Sequence, residues 1–240
     1  MVLQKGDFIL IEYTAKVKET NEVFDTTSEE VAQKEHLHKE GEIYEPKLIV
    51  IGEGWMLKTL DESFPTMALN KQAKVEITPD KAFGARDPEK IKRVPLKQLL
   101  AKNINPALGM RVEYGGKNAI IRSIGAGRVL LDFNPPLAGK TLIYEVTVQK
   151  KLKTKEDKIC ALIHRRIPIA EAEKFPLTIK ENVLSIEMPE ETFYLEGVQV
   201  AKRGVSMDIQ RFFPDFIATK FIETYNAPPK LETPKPETKA

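Results

Sequence analysis

From Asp7 to Val17 the side chains alternate, with Phe8, Leu10, Glu12 and Thr14 on one face and Ile9, Ile11, Tyr13 and Ala15 on the other. A period of two predicts a strand with at least one buried face. Glu19-Thr20-Asn21-Glu22 reads as a turn, and Val23-Phe24-Asp25 resumes the strand. Ser28, followed by Glu29 and Glu30, has the chemistry of a helix N-cap, so a short helix is expected over Ser28 to Lys34. Lys47 to Ile51 reads as a strand stopped by Gly52-Glu53-Gly54. Met56, Leu57 and Leu60 then share one face of a helix over Trp55 to Ser63. Lys74 to Thr78 is again a strand, turned by Pro79-Asp80.

After Ala82-Phe83-Gly84 the texture changes. Arg86 to Arg93 is highly charged, and Pro95 ahead of Leu96 to Lys102 predicts a short helix with proline in its first turn. Three β-like runs follow: Met110 to Tyr114, Asn118 to Ile124 and Arg128 to Phe133. Gly115-Gly116 and Gly125-Ala126-Gly127 separate them as hairpin signals. Together these runs predict a small β module, ended by Asn134-Pro135-Pro136. In the strand Thr141 to Val148, Leu142, Tyr144, Val146 and Val148 face one way.

Lys150 to Lys158 reads as a charged linker. Beyond it, strands are expected over Ile159 to Ile163, Val183 to Met188 and Gly197 to Lys202. Helices are expected over Pro168 to Lys174 and Asp208 to Thr224, the second kinked or started by Pro214. Residues 228–240 form a Pro/Lys/Glu/Thr tail that cannot bury a core and is expected to be disordered.

Composition narrows the classes. The chain has 240 residues, room for one to three domains, and 42% of them are hydrophobic, enough for a sizeable core. The 37 basic and 35 acidic side chains nearly cancel, which argues against a nucleic-acid coat or a polybasic membrane protein. Cys160 is the single cysteine, so there is no internal disulfide and no thiolate zinc site. No signal-peptide core and no membrane-length apolar run is visible, and a soluble cytoplasmic protein is expected.

The usual chemistry is missing. His36 and His38 have no third metal ligand at a recognisable spacing, so no metal is expected, and no cofactor either. No nucleophile elbow is seen, and Gly52-Glu53-Gly54 lacks the third glycine and crossover of a phosphate loop. What remains is a set of apolar and aromatic residues: Tyr13, Phe24, Met56, Leu57, Leu60, Phe83 and Tyr144. They could be ordinary core. Asp25 weighs against that, because a carboxylate beside an aromatic needs a partner or solvent.

These residues fall in a recognisable order. Lys5-Gly6-Asp7, Tyr13-Thr14 and Val23-Phe24-Asp25-Thr26-Thr27 resemble the opening of FKBP-type peptidyl-prolyl isomerases. Gly52-Glu53-Gly54 with Leu57 and Leu60 resembles their pocket-floor helix, and Ile77 to Gly84 their following strand and turn. Pro136 to Val146 resembles the closing strand of the SlyD-like branch, which carries a chaperone module, the insert in the flap, between these last two motifs. The likeness covers residues 1 to about 150. Beyond 155 the layout is similar to the long-type archaeal members, which add a C-terminal domain.

The resemblance implies an α+β fold: an antiparallel half-barrel around a short helix, an inserted β-rich domain and a C-terminal α/β domain. It implies an isomerase domain of 1–85 and 134–152, an insert of 86–133, a C-terminal domain of 155–227 and a tail of 228–240. It implies rotation of X–Pro amides in unfolded or partly folded polypeptides, with no nucleic acid and no membrane as partner. Tyr13, Phe24, Asp25, Leu57, Leu60, Phe83 and Tyr144 would be catalytic, with Met56 and Leu137 lining the cradle. In the insert, Ile91, Val94, Leu96, Met110 and Tyr114 would bind substrate; the module's apolar residues could equally be a minimal core. The aromatic segment Phe212 to Tyr225 could be core or a homodimer interface.

This chain departs from the family at several positions. Leu60 stands where the family usually has tryptophan, Phe83 where it has tyrosine, Pro135 where the SlyD-like motif has histidine, and Pro46-Lys47 where an aromatic wall is expected. The hydroxyl missing from Phe83 is worth about 0.5–1.5 kcal/mol. These changes bear on catalytic strength rather than ligand class, and a holdase of the same fold with weak isomerase activity is the alternative.

Overall fold

The computed structural model describes residues 2–227; the expected tail at 228–240 lies outside them. The chain forms two compact units, divided between Lys151 and Leu152.

In the first unit the order begins with β1 (Phe8–Val17), β2 (Val23–Thr26), α1 (Glu29–Lys34), β3 (Lys47–Val50), α2 (Lys58–Ser63) and β4 (Gln72–Ile77). It continues with β5 (Ile91–Pro95), α3 (Leu96–Leu100), β6 (Arg111–Tyr114), β7 (Lys117–Gly125), β8 (Arg128–Asp132) and β9 (Leu142–Leu152). Ser28 caps α1 as its chemistry predicts, accepting the Val31 N–H.

One five-stranded sheet has the order β2-β1-β9-β4, with β3 also on β1. The pairings β1–β2, β1–β3 and β4–β9 are antiparallel. The alternation of β1 holds: Ile9, Ile11, Tyr13, Ala15 and Val17 are all buried in one core. Leu142, Tyr144, Val146 and Val148 of β9 meet them there, and Leu60 and Phe64 come from α2 and the turn after it. Residues 91–132 form a second, antiparallel sheet of order β5-β8-β7-β6 with its own core of Val94, Leu99, Val112, Ala119, Ile121, Val129 and Leu131. Both hairpin loops are two residues long with positive φ, Gly115-Gly116 and Ala126-Gly127, the geometry that follows strand twist.

The second unit contains α4 (Lys155–Arg166), β10 (Leu177–Lys180), β11 (Val183–Glu187), α5 (Val198–Phe212) and β12 (Ala218–Ile222). β10 and β11 are an antiparallel hairpin, and β12 returns parallel to β11 after α5. Several expectations are corrected in this unit. Ile159 to Ile163 is the middle of α4, because Ile159, Leu162 and Ile163 recur at helical spacing and are buried. The linker shrinks accordingly, with Thr154 capping α4 at the Asp157 N–H. Gly197 to Lys202 opens α5, where Val198, Lys202, Val205 and Ile209 repeat on one buried face. That helix stops at Phe212, before Pro214, and residues 218–222 are a strand. Pro168 to Lys174 holds one 3-10 turn over Ala172–Lys174. The unit is α/β, with α4 and α5 joined by a bidentate Arg166–Asp208 pair at 2.8 and 3.1 Å. Gly204 makes room for it, since an added Cβ there would lie 3.2 Å from the guanidinium.

Candidate active site

Tyr13 sits where β1 changes partner. Residues Phe8 to Ile11 pair with β3, and Thr14 to Lys16 pair with β2. In the gap its backbone turns to Thr26 and Thr27: the Tyr13 N–H donates to Thr27 Oγ1 at 2.9 Å, and the Thr27 N–H donates to the Tyr13 carbonyl at 3.0 Å. Asp25 is opposite Ala15, which shares the face of Tyr13. The Tyr13 hydroxyl therefore reaches Asp25 and donates to its Oδ2 at 2.7 Å.

The Tyr13 ring lies 5.8 Å from that of Tyr144 on β9, and Phe24 meets Tyr144 edge-on at 6.1 Å. Tyr13, Leu60 and Tyr144 are buried in the main core, and Phe24, Met56, Leu57 and Leu137 pack against it, half-buried. Trp55, half-buried, packs against the same cluster. Phe83 stands outside the cluster, 42% exposed, next to Ala82, which packs on it.

Two charged residues escape a reading of the sequence alone. Lys47 opens β3 opposite Ile11, and its Nζ donates to the Tyr13 hydroxyl oxygen at 3.0 Å and lies 5.3 Å from the ring centre. Asp61 of α2, nearly buried, accepts the N–H groups of Gly52 and Gly54 at 3.0–3.2 Å. It thereby sets the loop that delivers Met56 and Leu57. Gly52 has φ +88° and abuts Lys5, whose Cγ would lie 2.6 Å from an added Cβ. In a composition so rich in charge, neither Lys47 nor Asp61 stands out before its partner is known.

The electrostatics keep both phenols neutral. Burial first, then the hydrogen bond to Asp25 and its charge, holds the Tyr13 phenol protonated far above its usual range. Tyr144 is pushed up to about 12, by burial first and by the Asp25 charge second. The arrangement is an apolar, aromatic cluster with a carboxylate–phenol pair at its edge. It holds no nucleophile beside a base, and among the described residues no cluster of His, Cys, Asp and Glu fit to hold a metal is found.

In the insert, Val94 lies in the module's own core, where it serves the fold. Ile91, Leu96 and Tyr114 are partly exposed. The Tyr114 hydroxyl donates to Gln98 Oε1 at 2.6 Å, and Lys102 lies over its ring. Met110 is exposed, and so are Leu100, Leu108 and Ile124.

Comparison with known proteins points the same way. The family described as FKBP26, IF domain, matches residues 92–137, and the one described as FKBP26 C-terminal matches residues 155–226. A short-type peptidyl-prolyl cis-trans isomerase of Methanocaldococcus jannaschii is 30% identical over 148 residues, 62% of this chain and 93% of that protein. The FKBP-type isomerase SlyD of Helicobacter pylori is 23% identical over 158 residues, 65% of this chain and 78% of its own length. A probable FKBP-type 16 kDa isomerase of Pseudomonas fluorescens is 25% identical over 108 residues, 43% of this chain and 71% of its own.

Proposed function

The chain belongs to the FKBP-type peptidyl-prolyl cis-trans isomerases that carry an insert-in-flap domain, and from this we propose that it isomerises X–Pro bonds in unfolded or partly folded polypeptides. Residues 1–85 and 134–152 form the isomerase domain, 86–133 the client-binding insert and 155–227 a C-terminal domain. The observation that carries the reading is the Tyr13–Asp25 hydrogen bond of 2.7 Å, set beside the aromatic contacts of Tyr13 and Phe24 with Tyr144.

The chemistry asks for little more. The barrier of about 18–20 kcal/mol comes from amide resonance, which twisting abolishes. The planar amide is the more polar form, so an apolar seat of Tyr13, Phe24, Met56, Leu57, Leu60 and Tyr144 disfavours it relative to the twisted one. Asp25 and Tyr13 form the polar edge around the rotating carbonyl. Because the Tyr13 hydroxyl donates a hydrogen bond to Asp25 and accepts one from Lys47, the pair is fixed before substrate arrives. An acceleration of six decades would need about 8 kcal/mol of such differential stabilisation.

The exposed Leu100, Leu108, Met110 and Ile124 of the insert support a second reading, a holdase whose isomerase activity is weak. Phe83, lacking a hydroxyl, favours the same reading. The C-terminal unit exposes Val200, Met207 and Tyr194, which supports a homodimer interface there. No helix among the described residues is long and apolar enough to cross a membrane, and the cytoplasm is the proposed site of action. A proline-limited refolding assay separates the two readings. Catalysis by the pure folded protein is expected; aggregation suppression without catalysis would leave only the holdase.

A further inference from the structure

The insert is joined to the rest of its unit by two stems, residues 84–90 going in and 132–139 coming back. They are tied rung by rung. The Gly139 N–H donates to the Gly84 carbonyl at 2.8 Å, and Gly139, at φ +75°, lies so close that an added Cβ would stand 3.0 Å from Arg86 Cβ. Asn134 Oδ1 accepts the Asp87 N–H, and its Nδ2 donates to the Asp87 carbonyl, each at 2.9 Å.

At the insert end of this ladder is Asp132, 1% exposed. Its Oδ2 accepts from Arg86 Nη2 at 2.7 Å and from Arg122 Nε at 3.0 Å. Its Oδ1 accepts the Asn134 N–H at 3.0 Å and Asn134 Nδ2 at 2.8 Å. Arg122 is the extra residue where the β7–β8 register shifts between Ile121 and Ser123, and such a bulge re-aims a side chain. A buried carboxylate is costly unless fully paired, and removing one partner leaves the rest uncompensated. Here one carboxylate gathers the incoming stem, the returning stem and β7. The same stems lead directly to Phe83, one residue before Gly84, and to Leu137, two before Gly139.

We propose that Asp132 is a positioning residue, which fixes the insert on its stems so that a polypeptide held by the insert is presented to the prolyl seat. This rests on the isomerase-plus-insert reading above. The gain is one of effective concentration, in the millimolar range for a short, well-aimed tether and lost when the geometry loosens.

Two full-length variants test it. Asp132→Asn keeps the shape and removes the charge. Arg86→Met cuts only the stem's ion pair and leaves Arg122, Asp132 and the insert core together. Each is assayed on a proline tetrapeptide and on a reduced, carboxymethylated protein with proline-limited refolding, and binding of that unfolded protein is measured separately. Expected is a kcat on the protein substrate lowered about five- to tenfold, with KM and client affinity within twofold of wild type. Tetrapeptide kcat/KM should also stay within twofold. An unchanged kcat on the protein substrate in both variants would overturn the proposal. So would KM and client Kd rising together, which would mark a merely structural role, or a parallel loss on the tetrapeptide. A wild type inert on the tetrapeptide would overturn the underlying reading, and the proposal with it.

Discussion

At the scale of the residue, the Tyr13 hydroxyl carries the most weight. One oxygen donates to Asp25 and accepts from Lys47, so each of the three fixes the other two. Lys47→Met should leave the fold intact, because the side chain is exposed, and should lower kcat/KM by up to about tenfold through the lost charged hydrogen bond. Tetrapeptide kinetics check this. Phe83→Tyr runs the other way. Its ring is 42% exposed, so a new hydroxyl stays solvated until substrate binds, and a gain in kcat/KM of up to about tenfold is expected. Alkaline titration followed at the tyrosinate absorbance tests the burial of the phenols. Tyr13 and Tyr144 have folded pKa values raised above the usual 10, so they stay protonated as exposed tyrosines ionise. Their contribution to stability is complete below pH 10 and is lost as pH rises through the folded values. Unfolding midpoints should therefore fall above pH 10 in wild type and fall less in Tyr13→Phe.

At the scale of the element, the insert has one strained turn. Ala126 holds φ +50° at the first position of its two-residue hairpin loop, a conformation that costs a β-carbon about 1 kcal/mol. Ala126→Asn gives the Asn-Gly pair such turns prefer and should raise the insert's stability by about 0.5–1 kcal/mol, read by urea unfolding. Asp132 makes the insert acid-sensitive. Burial alone would raise its pKa, but the side chain and N–H of Asn134, with Arg122 and Arg86, hold it below the ordinary carboxylate value. Its stabilisation is therefore present above about pH 4 and lost as pH falls further, and Asp132→Asn should lack that step.

Elements also differ in how far the sequence discloses them. β1 and β9 announce themselves because each buries one face, so period two survives over many residues. The packing of Tyr13, Leu60 and Tyr144 in one core with Phe24 against it is legible from their order in the motifs, while their role as a prolyl seat is the proposal. Ile159 to Ile163 misleads because a short apolar run fits a strand as well as a helix, and only Thr154 and the basic last turn reveal α4. β12 hides behind Pro214 because Ala218–Ile222 is an edge strand with only half-buried or exposed side chains. Lys47, Asp61 and Asp132 are invisible for another reason: a charge gains meaning only from its partners, and theirs include residues 34, 9 and 46 positions away.

At the scale of the molecule, two separate cores stand behind one unit. The isomerase core draws on β1, β9 and α2, and the insert core on its own sheet and α3. Removal of residues 86–132 should therefore leave a folded isomerase with tetrapeptide activity near wild type and abolish suppression of client aggregation. Light scattering of an unfolding client checks the second half. The near balance of 37 and 35 charges fits the proposed contact with unrelated clients through apolar surface, with charge serving solubility.

The central claim is that the Tyr13–Asp25 pair and its aromatic seat rotate X–Pro bonds. Proline-limited refolding with wild type beside Asp25→Ala tests it most directly. The account predicts catalysis by wild type and a loss of about ten- to a hundredfold in kcat/KM for the variant, the worth of a hydrogen bond to a charged group. A folded Asp25→Ala protein as active as wild type would contradict it.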